Sequence, residues 1–224
     1  MAENKTLLVL RLEGPLQSWG ESAKFDNRDT ASMPTKSGII GLLGCAMGYP
    51  RGSELLVQLS EALTIAVRAD RAGVKAVDYQ TVEGSPLMAA SGKPRSGSNI
   101  IITPRAYLQD ACFTVFLDMP ETWQDRIIDA FRNPKWSISL GRKSCVPSSP
   151  VFRGFCKYAT LLDAVKHYPA TYRAEYPMSY ECEEYEPFTI GLQRADELIS
   201  PNREFGMRRV WRGAIKEVSP IVSD

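Results

Sequence analysis

Three short segments of this chain carry side chains suited to holding an anion. Thr35-Lys36-Ser37 opens a helix-like run, where unpaired N–H groups and the positive end of the helix dipole favour negative charge. Gly141-Arg142-Lys143-Ser144 is a tight turn with two cations and a hydroxyl, the groups that grip a phosphate. Arg105 lies between Pro104 and Tyr107, where a guanidinium beside aromatics can stack on a base or pair with a phosphate. Trp19, within Pro15-Leu-Gln-Ser-Trp-Gly20, is a candidate stacking platform. Each also has a plain structural reading: a capped helix, a polar turn, a surface arginine, a buried tryptophan. Catalytic chemistry is much thinner. The chain has one histidine, His167, in a Lys-His-Tyr-Pro segment that reads as a loop, and it has no nucleophile motif, phosphate-binding loop or metal-ligand spacing. The carboxylate pair Glu183-Glu184 reads as a solvated face.

The elements that must position these residues follow from periodicity. Lys5–Glu13 alternates, with Leu8, Leu10 and Leu12 on one face, and reads as a strand. A polar loop with Trp19 and Phe25 follows. Residues 33–48 then read as a helix although Gly38, Gly41 and Gly44 lie inside it, giving up roughly 3 kcal/mol of helix propensity. Those glycines fall on one stripe and let another chain segment approach closely. A second helix spans about 53–63, with Ser53 as its N-cap, and Thr64–Asp70 is a strand. Val74–Thr81 is a weaker strand. Glu83–Asn99 is rich in Gly, Pro and Ser and reads as a hairpin tip, after which Ile100–Thr103 resumes an extended run. Ala111–Leu117 is a strand, Pro120–Phe131 an amphipathic helix with Trp123, Ile127, Ile128 and Phe131 on its apolar face, and Trp136–Leu140 a strand.

Without the 74–103 excursion, and with the two consecutive helices merged, the order is β-α-β-β-α-β. The expected class is therefore α+β, with a ferredoxin-like (RNA-recognition-motif-like) core. The core is expected over 1–149, with a protruding β-hairpin thumb at about 75–107. Residues 150–224 are expected to form a smaller, mostly β region packed on it. Several weak anion sites on one RNA-recognition-like frame favour an RNA-binding module.

Composition is ordinary for a globular protein: 224 residues, 44% hydrophobic, net charge +1. The charge is segregated, however. Residues 130–162 hold six basic residues and no acid, and 174–193 hold five glutamates and no Lys or Arg, a pattern that can give a neutral protein a basic surface. Five cysteines without CxxC or metal spacing suit reduced thiols. No apolar run approaches a membrane span and no signal-peptide pattern is present, so a soluble, cytoplasmic protein is expected, with no metal and no cofactor.

An ordered set of segments resembles a known family. The set comprises Gly14-Pro-Leu-Gln-Ser-Trp-Gly20, Arg28-x-Thr30, Pro34-Thr-Lys-Ser-Gly-Ile-Ile-Gly-Leu-Leu-Gly44, Asp78-Tyr79, Arg105-x-Tyr107-Leu108-x-Asp110-Ala111-x-Phe113 and Leu140-Gly-Arg-Lys-Ser-Cys145. Together they resemble the handle-binding subunits of type I-E CRISPR Cascade complexes, in the RAMP superfamily, over about residues 7–156. The resemblance implies a subunit that caps the 5′ end of the CRISPR RNA. Such a subunit holds the repeat-derived handle against the backbone subunits and touches the large subunit, which meets target DNA. It places the RNA contacts at Arg28, Lys36, Ser37, Arg105, Arg142, Lys143, Ser144 and Trp19, and the thumb tip at 84–99. The family superfold often has several glycines near residue 141; here only Gly141 stands. The type I-C relative is a metal-independent endoribonuclease that processes repeat RNA, which is the alternative reading. A lysine–histidine pair in the core would be needed, and His167 lies outside the matched segment, so binding without cleavage is expected.

Overall fold

A computed structural model describes residues 4–21, 28–84, 86–88, 92–94 and 100–217. Phe25, and the expected thumb tip apart from residues 84, 86–88 and 92–94, lie outside them. The class is mixed α and β, with antiparallel sheets. One has seven strands, β1 (Lys5–Glu13), β3 (Thr64–Arg71), β6 (Cys112–Asp118), β7 (Phe152–Tyr158), β8 (Met178–Cys182), β9 (Ile190–Leu198) and β10 (Phe205–Ile215). Their order is β7-β1-β6-β3-β8-β10-β9. The second sheet joins β2 (Leu16–Gln17), β5 (Ile100–Gln109) and β4 (Val74–Glu83), in the order β2-β5-β4.

β1 is buried on both faces, because each face of the large sheet carries helices. Leu8, Leu10 and Leu12 join the larger core with α1 (Lys36–Met47), α2 (Glu54–Ala62) and α3 (Glu121–Arg132). Leu7 and Val9 face the smaller core under α4 (Leu161–His167). The alternation read from sequence identified the first face; the second is apolar because α4, contributed by a distant segment, covers it.

The glycine stripe of α1 has three separate environments. A Cβ on Gly38 would stand 2.8 Å from the Trp19 ring, and one on Gly44 would stand 2.4 Å from Leu56 of α2. A Cβ on Gly41 would meet nothing within 4 Å. Two of the glycines therefore admit packing partners, and the third is open.

Trp136–Leu140 is not a strand. Its backbone is drawn to the end of α1 and to neighbouring loops: Lys135 N–H donates to Ala46 O (2.8 Å), Leu140 N–H to Cys145 O (2.7 Å), and Leu140 O accepts from Ser18 N–H (3.0 Å). The strand antiparallel to β1 on that side is instead β7, paired from Lys5↔Tyr158 to Leu10↔Phe152. Strands from both 1–149 and 150–224 thus share the large sheet, with β7 at one edge and β8–β10 extending the other.

β4 and β5 pair without a register break from Val74↔Gln109 to Glu83↔Ile100. None of the ten residues of β4 is buried, so that arm stands clear of both cores, while the base of β5 enters the larger core through Tyr107 and Leu108.

Candidate nucleic-acid interface

The base of the hairpin is where the sequence-selected cations meet. Arg28 adds a short parallel bridge to the edge of β5: its N–H donates to Pro104 O (3.0 Å) and its carbonyl accepts from Ala106 N–H (2.8 Å). Leu16 and Gln17 pair with Gln109 and Leu108 farther along the same strand. Arg142 closes the arrangement from the 140–145 loop. Its Nη2 donates to Arg28 O (2.7 Å), its Nη1 donates to Ala106 O (3.1 Å), and its guanidinium lies 4.6 Å from the Tyr107 ring centroid. Arg105 is half-buried, with Nε donating to Thr103 Oγ1 (3.3 Å). It shares a strand face with Tyr107, which places it beside Arg142. Asp78 stands opposite Arg105 in the register, where its Oδ2 accepts from Gln80.

Lys143 and Ser144 are exposed on the same loop. Lys143 lies close enough to the Cys45 thiol of α1 to favour its thiolate, although burial, the larger effect, leaves that pKa raised. Gly141 is required here. Its φ of +92° is left-handed, and a Cβ would lie 1.8 Å from Ser18 O. The Gly14–Gly20 segment and the 140–145 loop therefore touch backbone to backbone, and Ser18 Oγ also donates to Ala106 O (3.3 Å). Arg28, Arg105 and Arg142 form a seam between the hairpin and this loop, and Lys143 and Ser144 are exposed on the loop beside it. Neither Arg28 nor Lys143 has an ion-pair partner among the described residues.

Two expected contacts lie elsewhere. Trp19 is only 1% exposed, so it offers no stacking face. It packs on Gly38 and donates from its ring Nε1 to Gln17 Oε1 (3.1 Å). Its role is to seat α1 against the Gly14–Gly20 segment. Lys36 is 3% exposed and its Nζ pairs with Glu197 (3.0 Å) and Glu183 (3.4 Å). The start of α1 already holds an anion, because Asp196 Oδ2 accepts from Lys36 N–H (2.8 Å). The cap is completed by Thr35 Oγ1, which accepts from Gly38 N–H (3.2 Å), and Ser37 Oγ lies 3.4 Å from that hydroxyl. A phosphate at this helix end would have to displace an internal carboxylate.

Acidic residues compensate Arg194, Arg208 and Arg212 of β9 and β10 in the same way. Arg208 pairs with Asp196 (2.6 Å) and Glu183 (2.9 Å), while Arg194 and Arg212 converge on Glu181. Burial alone would lower the Arg208 pKa, but the hydrogen bonds and charge of Asp196 and Glu183 leave it raised. Sequence reading did not foresee this lattice, since its partners are separated by up to 161 positions. His167 lies in the last turn of α4 rather than in a loop, with Nδ1 3.0 Å from Asp163 O. It sits beneath the opposite sheet face from the seam. Among the described residues no His/Cys/Asp/Glu group has metal-site spacing, and no helix is long and apolar enough to cross a membrane.

An α/β protein of antiparallel sheets, with a cation-lined seam at the foot of a hairpin, is the class that this geometry defines. The CRISPR-associated protein (Cas5) family description matches residues 7–211, and the chain belongs to that family. It is 35% identical over 176 residues to the CRISPR system Cascade subunit CasD of Escherichia coli (strain K12), covering 73% of this chain and 77% of that one. A chain of a solved CRISPR RNA-guided surveillance complex superposes with a TM-score of 0.77 at 30% identity, covering 97% of this chain and 95% of that one. A crystal structure described as a Cas protein gives 0.73 at 33% identity, over 94% and 95% of the two chains.

Proposed function

We propose that this chain is a non-catalytic, CRISPR RNA-binding subunit of a type I-E Cascade complex, acting in antiviral defence in the cytoplasm. It caps the 5′ end of the guide RNA, grips the repeat-derived handle, and meets the backbone and large subunits, touching target DNA only through them. The observation that carries the reading is the seam: Arg28 and Arg105 are bridged at the foot of the hairpin and clasped there by Arg142 of the 140–145 loop, which exposes Lys143, in a chain of the Cas5 family. Cations near a single strand supply affinity through phosphate contacts and counterion release.

The strand order β7-β1-β6-β3 supports a ferredoxin-like core, with α1 and α2 between β1 and β3 and α3 between β6 and β7. That core closes at residue 158 rather than 149, and β8–β10 widen its sheet. The β4–β5 hairpin is the thumb. Binding without cleavage is supported by the position of His167, under the other sheet face from the seam. The chain works without metal or cofactor.

The test is RNA retention by the assembled complex across a salt series. Arg28→Ala and Lys143→Ala should each weaken handle binding and reduce the slope of log K against log salt by roughly 0.7, the value for one phosphate contact on a single strand. Unchanged affinity and slope in both variants would remove the seam from the RNA site. Specific cleavage of repeat RNA by the purified chain, insensitive to EDTA and lost in His167→Ala, would replace this reading with the endoribonuclease one.

A further inference from the structure

We infer that Arg142 is a positioning residue of the RNA grip rather than an RNA contact; the inference rests on the function proposed above. Two of its five guanidinium donor hydrogens are committed to main-chain carbonyls, Arg28 O at 2.7 Å and Ala106 O at 3.1 Å. Its planar face is committed as well, 4.6 Å from the centroid of Tyr107, a side chain that is 5% exposed. The contacts are geometrically linked. Arg28 O accepts both Ala106 N–H and the Arg142 guanidinium, so one side chain ties the Arg28 segment to β5 and both to the 140–145 loop. Gly141, pressed on Ser18 O, fixes where that guanidinium starts.

Arg28 and Arg105 owe their placement to this clasp. Without it, the Arg28 bridge to β5 keeps only its two backbone hydrogen bonds, and the hairpin foot is no longer tied to the loop. A guanidinium is needed because its fork reaches two carbonyls while its face stacks on a ring, which an ammonium cannot do together. An arginine acting only as a phosphate contact would tolerate lysine far better, because the charge would remain.

The experiment measures handle-RNA retention by the assembled complex across a salt series for wild type, Arg142→Lys, Arg142→Met, Tyr107→Leu and Lys143→Ala. Positioning predicts that Arg142→Lys and Arg142→Met lose affinity alike, by about tenfold or more, and show the same salt slope as each other, because both release Arg28 and Arg105 equally. Tyr107→Leu should do the same, since it removes the ring from a side chain too buried to reach RNA. Lys143→Ala is the reference for a lost phosphate contact, with a shallower slope. Wild-type affinity in Arg142→Lys, or a slope in Arg142→Met shallower by roughly 0.7 than that of Arg142→Lys, overturns the inference. If Arg142→Met does not assemble, Arg142→Lys and Tyr107→Leu decide the matter by the same criteria. Failure of the wild-type complex to retain RNA overturns the function proposed above and this inference with it, whereas retention with unaffected Arg142→Lys overturns this inference alone.

Discussion

Two clusters of cations, similar in composition, are put to opposite use. At the start of α1 and along β9 and β10, Lys36, Arg194, Arg208 and Arg212 are matched by Glu181, Glu183, Asp196 and Glu197. At the foot of the hairpin, Arg142 is held by backbone carbonyls and a ring, while Arg28 and Lys143 have no acidic partner among the described residues. A lysine or arginine signals anion binding only when the fold leaves its charge uncompensated. The first cluster fastens the β8–β10 extension to α1; the second leaves positive charge open to a ligand.

The sharpest way to break this contrast is Arg208→Ala. It leaves Asp196, 5% exposed, with only the Lys36 N–H, and Glu183, 11% exposed, with Lys36 Nζ and Ile65 N–H, and should cost about 3 kcal/mol in chemical denaturation while leaving the salt slope of RNA retention unchanged. A cost under about 1 kcal/mol would show that the buried lattice is not structural. Gly141→Ala comes next. The clash with Ser18 O and the left-handed backbone should cost about 1–3 kcal/mol and weaken RNA retention together, since the seam loses its shape. Stability lost with RNA affinity intact would separate the 140–145 loop from the site.

The smallest effect belongs to Asp29→Asn. Asp29 neutralises Lys75 at the edge of the seam (2.8 Å). Its pKa is lowered below 3.8, chiefly by the hydrogen bond from Lys75 and then by Thr30 N–H. A depressed carboxylate pKa contributes stability above the unfolded value, and that contribution is lost as pH falls through the folded one. The pair is therefore intact at neutral pH. Its removal should cost under about 1 kcal/mol in thermal denaturation and slightly tighten RNA retention by freeing Lys75. Weaker retention would mean that this exposed pair orders the Arg28 segment.

Local signals in the chain were sufficient for β1, α1, α2, β3, β6 and α3. Their periodicity and caps agree with the packing, as at Ser53, whose Oγ accepts from Leu55 N–H. Arg28, Arg105 and Arg142, picked out as cations in an ordered motif set, come together at the hairpin foot. The fourth strand was not legible. Trp136–Leu140 has strand-like residues, but its hydrogen bonds go to α1 and to loops, and Phe152–Tyr158 takes the place beside β1. Trp19 and Lys36 were legible as residue types and misread as surface groups, because burial depends on what packs over them.

By itself, the sequence determined α1, α2 and α3, the strands β1, β3 and β6, and the glycines at tight contacts. It also placed the cations that meet at the hairpin foot, because those depend on neighbours a few positions away. Only the tertiary structure decided which cations remain uncompensated. Lys36 is neutralised by carboxylates some 160 positions away, and Arg142 faces carbonyls 36 and 114 positions away. Charge acts through distance in space, and the distance is set by the fold.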